Sequence, residues 1–218
     1  MSAGDGDVVV RGERLRLLVE RAIYWERAGT LLVADPHFGK AAAFRAAGVP
    51  VPRGTTTETL LRLDAAITRT AARRIVFLGD FLHAREGRSP ETLRVINEWR
   101  ASHVAIEMVL VRGNHDKRAG DPPRELNMQC VDGPVAEAPF VFSHKPVRSD
   151  DGYVLCGHVH PSVRLSGLGR EHSRLACFWF GAETGILPAF GEFTGLAVVE
   201  VALGDRVFVL AGGEVIKV

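Results

Sequence analysis

Five short segments of the chain carry side chains that bind metals, and each follows an apolar run that predicts a buried strand. In chain order they are Asp35-Pro36-His37, Gly79-Asp80, Gly113-Asn114-His115-Asp116, Ser143-His144-Lys145-Pro146 and Gly157-His158-Val159-His160. Because residues that follow neighbouring strands meet beyond the strand ends, we expect all five segments to converge on one edge of a sheet.

The five segments offer a set of ligands that fits a pair of cations. They supply two carboxylates, one amide oxygen and four imidazoles, with a fifth imidazole to spare. This set suits two divalent cations that share one carboxylate, a common arrangement in enzymes that hydrolyse phosphate esters. Oxygen and nitrogen ligands without cysteine favour Mn²⁺, Fe or Zn²⁺, whereas a structural zinc site more often uses thiolates and four ligands.

Spacing within the segments supports the same interpretation, although any single histidine would more often be structural. Asp35 and His37 are two residues apart, as are His158 and His160, so in extended backbone each pair points to one side. Gly79 and Gly113 each precede a ligand, and we expect them to allow a sharp turn and a close approach of the backbone.

The rest of the pattern predicts an α/β first half and a largely β second half. Short antiparallel strands are expected at the start, followed by strands over 30–34, 75–78 and 107–111 that alternate with helices from Thr55 and from Ser89-Pro90. Thr55 and Glu58 have the spacing of a capping box. After Asn127 only strands are expected, including one over 196–203. We predict one domain over residues 1–218, with two sheets packed face to face as a β-sandwich flanked by helices.

Composition limits location and partners only loosely. The 218 residues include 27 basic and 26 acidic residues, and this near-neutral balance neither demands nor excludes nucleic acid. Three cysteines without close pairing favour free thiols in a reducing compartment. The chain shows no signal-peptide pattern and no apolar run of the roughly 18 residues that a membrane span needs, so we expect a cytoplasmic protein without a membrane partner.

The ordered motifs D-x-H, G-D, G-N-H-D, S-H-x-P and G-H-x-H resemble the calcineurin-like metallophosphoesterase superfamily. Three further segments, 34–40, 44–52 and 187–195, resemble one bacterial branch, the ligase-associated DNA damage response endonucleases. The resemblance implies a metallophosphoesterase fold with a dinuclear site, two Mn²⁺ ions as cofactors, and single-stranded DNA as the substrate. It also implies a role in DNA repair and an association with a DNA ligase, a helicase and an exonuclease.

The resemblance also assigns roles to individual residues. The two metal sites would be Asp35, His37 and His160, and Asn114, His144 and His158. Asp80 would bridge the two metals. His115 would be the general acid, with Asp116 orienting it. The expected reaction is hydrolysis of a phosphodiester by a hydroxide that the two metals activate.

Two further residues are candidates for substrate contact. Many superfamily members continue the second motif as G-D-x-x-D, whereas this chain has His83 at the last position. That imidazole either contacts the phosphate or donates a hydrogen bond that supports the metal ligands. Lys40 closely follows the first motif, where it either meets a phosphate oxygen or is a solvated lysine at a helix start.

Two other functions compete with a DNA endonuclease. The same metal centre would serve a phosphoesterase that acts on a small nucleotide or phosphate ester. A non-catalytic binding scaffold on the same fold is the third interpretation, and the complete ligand set with an intact His115 argues against it.

Overall fold

The computed structural model describes residues 4–52, 54–166 and 172–218. Its sixteen strands fall into two mixed sheets. Strands of the first sheet are β1 (Gly6–Val10), β2 (Glu13–Leu17), β3 (Ile23–Trp25), β4 (Thr30–Val33), β5 (Arg74–Phe77), β6 (Glu107–Val111) and β7 (Gln129–Val131). Strands of the second are β8 (Val135–Glu137), β9 (Phe140–Ser143), β10 (Tyr153–Cys156), β11 (Pro161–Ser166), β12 (His172–Phe180), β13 (Thr184–Ile186), β14 (Ala197–Val198), β15 (Arg206–Ala211) and β16 (Glu214–Lys217).

The first sheet runs in sequence order from β1 to β7. The first four strands are antiparallel neighbours, and β4, β5, β6 and β7 are parallel neighbours. The parallel part is built by the predicted β-α-β units, in which α2 (Thr55–Thr70) and α3 (Pro90–Ala101) connect successive strands. Two shorter helices, α1 (Lys40–Ala46) and α4 (Asn114–Ala119), begin within the ligand-bearing region. A helix start at Lys40 was one of the two alternatives for that residue, whereas α4 was not predicted.

Both faces of the first sheet are buried, which explains the continuous apolar runs of its central strands. Leu31 and Val33 of β4 pack with α2 and α3 in one apolar core. The alternate residues Leu32 and Ala34 pack in a second core against aromatic residues of the second sheet, such as Phe142. The predicted fold class is therefore confirmed: two sheets pack face to face, with α2 and α3 on the outer face of the first.

Helix starts were predicted with mixed success. Ser89 caps α3 as predicted, since its hydroxyl accepts a hydrogen bond from the Thr92 amide at 3.2 Å. The capping box of Thr55 and Glu58 is wrong. Thr55 is already inside α2, whose N-cap is Gly54 in a left-handed conformation without a side-chain cap.

In the second half, the predicted strand over 196–203 is wrong except at Ala197–Val198, which form the two-residue strand β14. Val201 and Leu203 have the apolar character of strand residues but are exposed. The short strands β7, β8, β13 and β16 were not predicted, because they lack the continuous apolar run that marks equally short strands such as β9 and β10.

The strand ends place all five segments at one end of the sandwich. Three segments follow the parallel strands β4, β5 and β6, and two follow β9 and β10, which are parallel neighbours in the second sheet. The expectation of a single sheet edge is therefore corrected, because both sheets contribute their carboxyl ends. Within the described residues, no helix is both long and apolar enough to cross a membrane.

Candidate metal centre

Two groups of ligand side chains lie side by side at the carboxyl ends of the strands. In the first group, Asp35, His37 and His160 bring one ligand atom each to within 4.8 Å of the others. Asp80, His144 and His158 do the same in the second group. Asn114 belongs with the second group, since its Oδ1 lies 2.9 Å from Nε2 of His144. The structure thus brings together all seven predicted ligands.

Asp80 lies between the two groups. Its Oδ2 is 3.9 Å from Nε2 of His37 in the first group, and its Oδ1 is 3.5 Å from Nε2 of His144 in the second. The backbone amide of His115 donates a hydrogen bond to Oδ1 at 2.9 Å and fixes the carboxylate. This position is the one that a bridging carboxylate requires.

Hydrogen bonds to backbone carbonyls determine which imidazole nitrogen faces the centre. Nδ1 of His144 donates to the Leu78 carbonyl at 3.0 Å, and Nδ1 of His160 donates to the Gly195 carbonyl at 3.1 Å. A carbonyl can only accept, so the proton is on Nδ1 and the lone pair of each Nε2 points into the centre. Metal-binding histidines are commonly oriented in this way.

The inward-facing atoms are almost all acceptors. Nε2 of His144 faces the amide oxygen of Asn114 at 2.9 Å and a carboxylate oxygen of Asp80 at 3.5 Å. Oδ1 of Asp35 is buried and has no hydrogen-bond partner among the described residues. Converging lone pairs around an unsatisfied carboxylate oxygen need a cation, and this donor set therefore fits a divalent metal pair.

Burial shifts the ionisation of these groups, and a cation would oppose the shift at the carboxylates and reinforce it at the imidazoles. Burial, reinforced by the nearby charge of Asp80, raises the pKa of Asp35 well above its usual range. Burial also raises the pKa of Asp80. The pKa values of His37, His144 and His158 are lowered, mainly by burial, and burial lowers that of His160 to about 4. At neutral pH these imidazoles are neutral and available as ligands.

The backbone at the ligands is unusual. Five of the seven have left-handed φ angles between 48° and 68°: Asp35, His37, Asp80, His158 and His160. The prediction of extended backbone at Asp35/His37 and His158/His160 is thus wrong. Both pairs of side chains nevertheless point into the centre. Gly79 has φ 86° and a side chain there would strike the His144 ring, as predicted, whereas Gly113 is extended and needs only the close approach to Asp80.

His115 is present at the centre, but Asp116 does not orient it by contact. The His115 Nδ1 donates to the carbonyl of His83 at 2.6 Å, which turns Nε2 toward Asp80 Oδ2 at 3.9 Å. The buried carboxylate of Asp116 instead accepts hydrogen bonds from the amides of Gly113 and Leu82, at 2.8 and 3.3 Å. Asp116 therefore fixes the loop that carries Asn114 and His115.

His83 and Lys40, the two predicted substrate contacts, lie beside the first group. The ring of His83 stacks on that of His115 with centroids 4.8 Å apart, and its Nδ1 is 3.5 Å from Nδ1 of His37. Burial lowers the pKa of His83 to about 4. Lys40 begins α1 and is half-buried; burial lowers the pKa of its ammonium group, while Asp35 and Asp80 oppose that shift.

The segment 187–195 braces the first group from behind. The amides of Phe190 and Gly191 donate to the carbonyls of Ala34 and Asp35 at 2.8 and 3.1 Å, and the Gly195 carbonyl accepts from His160. Arg62 of α2 holds this segment by donating to the Phe190 carbonyl at 2.7 Å and by pairing with Glu192. Sequence reasoning missed Arg62, because nothing in its local pattern distinguishes it from a solvated helix arginine.

The chain belongs to the calcineurin-like phosphoesterase family, whose sequence profile matches residues 30–180 and so includes all five segments. The predicted superfamily is confirmed, and the chain is a hydrolase of the metal-dependent phosphoesterase class. Among solved structures, it is similar to the nuclease MPE of Pseudomonas putida. The identity is 42%, the alignment covers 98% of this chain and 100% of that one, and the TM-score is 0.87.

Two solved structures are much more distant. A protein of unknown function, AQ665 from Aquifex aeolicus, shares 18% identity over 60% of this chain and 78% of its own, with a TM-score of 0.41. The phosphoesterase Yfce from E. coli shares 16% identity over 87% of this chain and 97% of its own, with a TM-score of 0.40. At these values neither likeness supports an inference about this chain. A comparison with curated proteins finds no match.

Proposed function

We propose that this protein is a DNA endonuclease that hydrolyses phosphodiester bonds, most effectively in single strands, with two Mn²⁺ ions as cofactors. The full-length likeness to the nuclease MPE, at 42% identity, is the observation that carries the substrate class. Phosphoester hydrolysis itself follows from family membership. A role in DNA repair beside a ligase, a helicase and an exonuclease is part of the same proposal and rests on the motif resemblance.

The ligand groups define which residues would hold the cations. Asp35, His37 and His160 would hold one, Asn114, His144 and His158 the other, and Asp80 both. When bound, such a pair neutralises the phosphoryl oxygens and lowers the pKa of a coordinated water.

His115 is placed to give a proton to the leaving oxygen. Its Nδ1 is held by the His83 carbonyl, so Nε2 is the atom that faces the centre and can carry the transferred proton. A deoxyribose alkoxide is a poor leaving group and depends strongly on such a proton.

His83 and Lys40 would bind the phosphate. Because burial lowers the pKa of His83 to about 4, its ring is neutral at pH 7 and would contact a phosphate oxygen as an N–H donor. Lys40 lies on the same side of the centre and would contribute a positive charge.

The test is incubation of the Mn²⁺-loaded protein with covalently closed circular single-stranded DNA. We expect linearisation and fragmentation by the wild type, loss of cleavage in EDTA, and strong impairment of His115→Ala. The same variant should retain far more activity on a chromogenic diester whose leaving group needs no proton. Equal losses on the two substrates would refute the acid role of His115.

A second outcome distinguishes the competing functions. Intact circles together with cleavage of the chromogenic diester would indicate an esterase for small substrates. Inactivity on both substrates with Mn²⁺ bound would favour the scaffold.

A further inference from the structure

A cavity of about 280 Å³ adjoins the second ligand group. Asn114 and His144 line it together with the basic residues Arg112, Lys117 and Lys145. Because Asn114 and His144 line this cavity, a group bound in it would lie directly beside a group held at the metal centre. The cavity therefore suits one part of a longer molecule whose reacting group lies at the metal centre.

Of the three basic side chains in the cavity, one is paired with carboxylates and two are not. Arg112 is already paired, through two contacts of 2.7 and 2.8 Å with the Asp121 carboxylate and one of 3.3 Å with Asp132, the one carboxylate among the described lining residues. Lys117 and Lys145 are exposed, and in the described parts of the chain neither has a carboxylate within ion-pair distance. Two ammonium groups are thus available to an anion.

The lysines of this chain are concentrated around the metal centre. The sequence contains only four lysines among its 27 basic residues. Lys40, Lys117 and Lys145 surround the centre, and Lys217 lies in β16 at the edge of the second sheet. A lysine offers a flexible point charge, which suits a phosphate whose exact position varies from one bound sequence to the next.

The lining also shows which part of a nucleic acid fits. Apart from the ring of the candidate ligand His144, the residues described around the cavity include no aromatic side chain on which a base would stack. The contact would therefore be with the sugar–phosphate backbone and would not depend on base sequence.

We propose that this cavity binds the backbone of the DNA strand next to the scissile phosphate, with Lys117 and Lys145 contacting its phosphates. The inference rests on the proposed function and adds the path of the strand, which leaves the metal centre across the second ligand group. A small phosphate ester would end at the centre and gain nothing from the two lysines.

Equilibrium binding tests this path separately from cleavage. Fluorescence anisotropy of a labelled single-stranded oligonucleotide would be measured with the full-length protein in a buffer without divalent metal, over a range of salt concentrations. For the double variant Lys117→Ala/Lys145→Ala we expect the Kd for the oligonucleotide to be about ten times larger. We also expect the slope of log K against log salt to fall by about 1.4, since each phosphate contact on a single strand contributes roughly 0.7.

Two comparisons complete the design. The matched control Lys217→Ala removes the same charge far from the cavity and should bind like the wild type, while Lys117→Glu/Lys145→Glu should bind more weakly than the double alanine variant. Wild-type affinity and salt slope in the double alanine variant would overturn the proposed path.

Turnover separates this inference from the endonuclease proposal. On the Mn²⁺-loaded protein, the double alanine variant should lose at least about five times more kcat/KM on circular DNA than on a chromogenic diester. Equal losses would place the lysines in support of the metal centre and refute the path. If wild-type protein bound the oligonucleotide through these lysines but left circles intact, the endonuclease proposal would fail and the binding site would stand.

Discussion

The two halves of the metal centre use similar ligands but are supported differently. In the first half, Asp35 and His37 are almost fully buried and the segment 187–195 closes the back of the site. In the second half Asp80 and His144 are buried as well, and His158 is half-buried like His160 of the first half, but the site opens into the cavity of Lys117 and Lys145. The two halves thus differ in what adjoins them: a bracing segment lies behind the first, and open space lies beside the second.

The largest effect should come from Asp35→Asn in the buried half. Asparagine keeps the size and tolerates the left-handed φ of 51°, but it removes the charge that the cation would balance. We expect turnover to fall at least about 100-fold and the Mn²⁺-induced rise in Tm to disappear.

The metal-free protein should respond in the opposite direction. Without the buried carboxylate and its unsatisfied oxygen, Asp35→Asn should raise the Tm in EDTA by about 2–4 °C, the shift expected from roughly 1 kcal/mol in a chain of this size. A lower Tm in EDTA would show that the buried carboxylate of Asp35 does not destabilise the metal-free protein.

In the open half, Gly79→Ala should be the most damaging change outside the ligands. A Cβ there meets the ring of His144, so the imidazole must move away from Asn114. Mn²⁺ affinity at this half should fall by about 10- to 100-fold. Isothermal titration would show the loss of one binding step while the other remains.

Gly48→Ala is the control for Gly79→Ala. Gly48 has φ 79°, close to the 86° of Gly79, but a Cβ there meets nothing within 4 Å. Both variants carry a backbone cost of about 1 kcal/mol. Only Gly79→Ala should also lose metal, and equal metal affinities would show that the His144 ring adapts.

Arg62→Ala should weaken the buried half from a distance. It frees the Phe190 carbonyl and leaves Glu192 with only its 3.6 Å ion pair to Arg21, so the segment that orients His160 loosens. We expect about a tenfold loss of Mn²⁺ affinity in the first half, the size typical of a residue that supports a ligand. Arg94→Ala, which breaks only an exposed pair with Glu98, should leave metal binding unchanged.

The smallest effect is on pH dependence. In the folded protein the pKa of His83 is lowered to about 4, so between pH 4 and about 6.5 the unfolded chain binds more protons and stability rises with pH. In EDTA, His83→Asn should rise less steeply in Tm over this window than the wild type. Identical slopes would show that burial does not hold His83 neutral.

Most of the candidate centre could be predicted because the types of the ligand residues and their order along the chain are contained in the sequence itself. All seven ligands and His115 were identified in this way, and the β-α-β alternation predicted the sheet that carries three of the segments. The roles of these residues in catalysis remain predictions, as do the boundaries of the single domain.

What the sequence did not predict depends on contacts between distant residues. Arg62 reaches Phe190 across 128 positions, and the orientation of His115 depends on a backbone carbonyl, which has no side-chain signature. The spacing of Asp35 and His37 suggested extended backbone, whereas the tertiary fold imposes left-handed turns there. The apolar composition of 196–203 suggested a strand, but only two residues find a partner strand.

The left-handed φ angles at five ligands mean that two independent constraints act on the same positions. Aspartate, asparagine and histidine are the non-glycine residues most often found in that conformation, and they are also good metal ligands. The turn alone would disfavour replacement of Asp35, Asp80 or His160 by a β-branched residue. A substitution at one of these positions would therefore change the stability of the metal-free protein as well as its affinity for the metal.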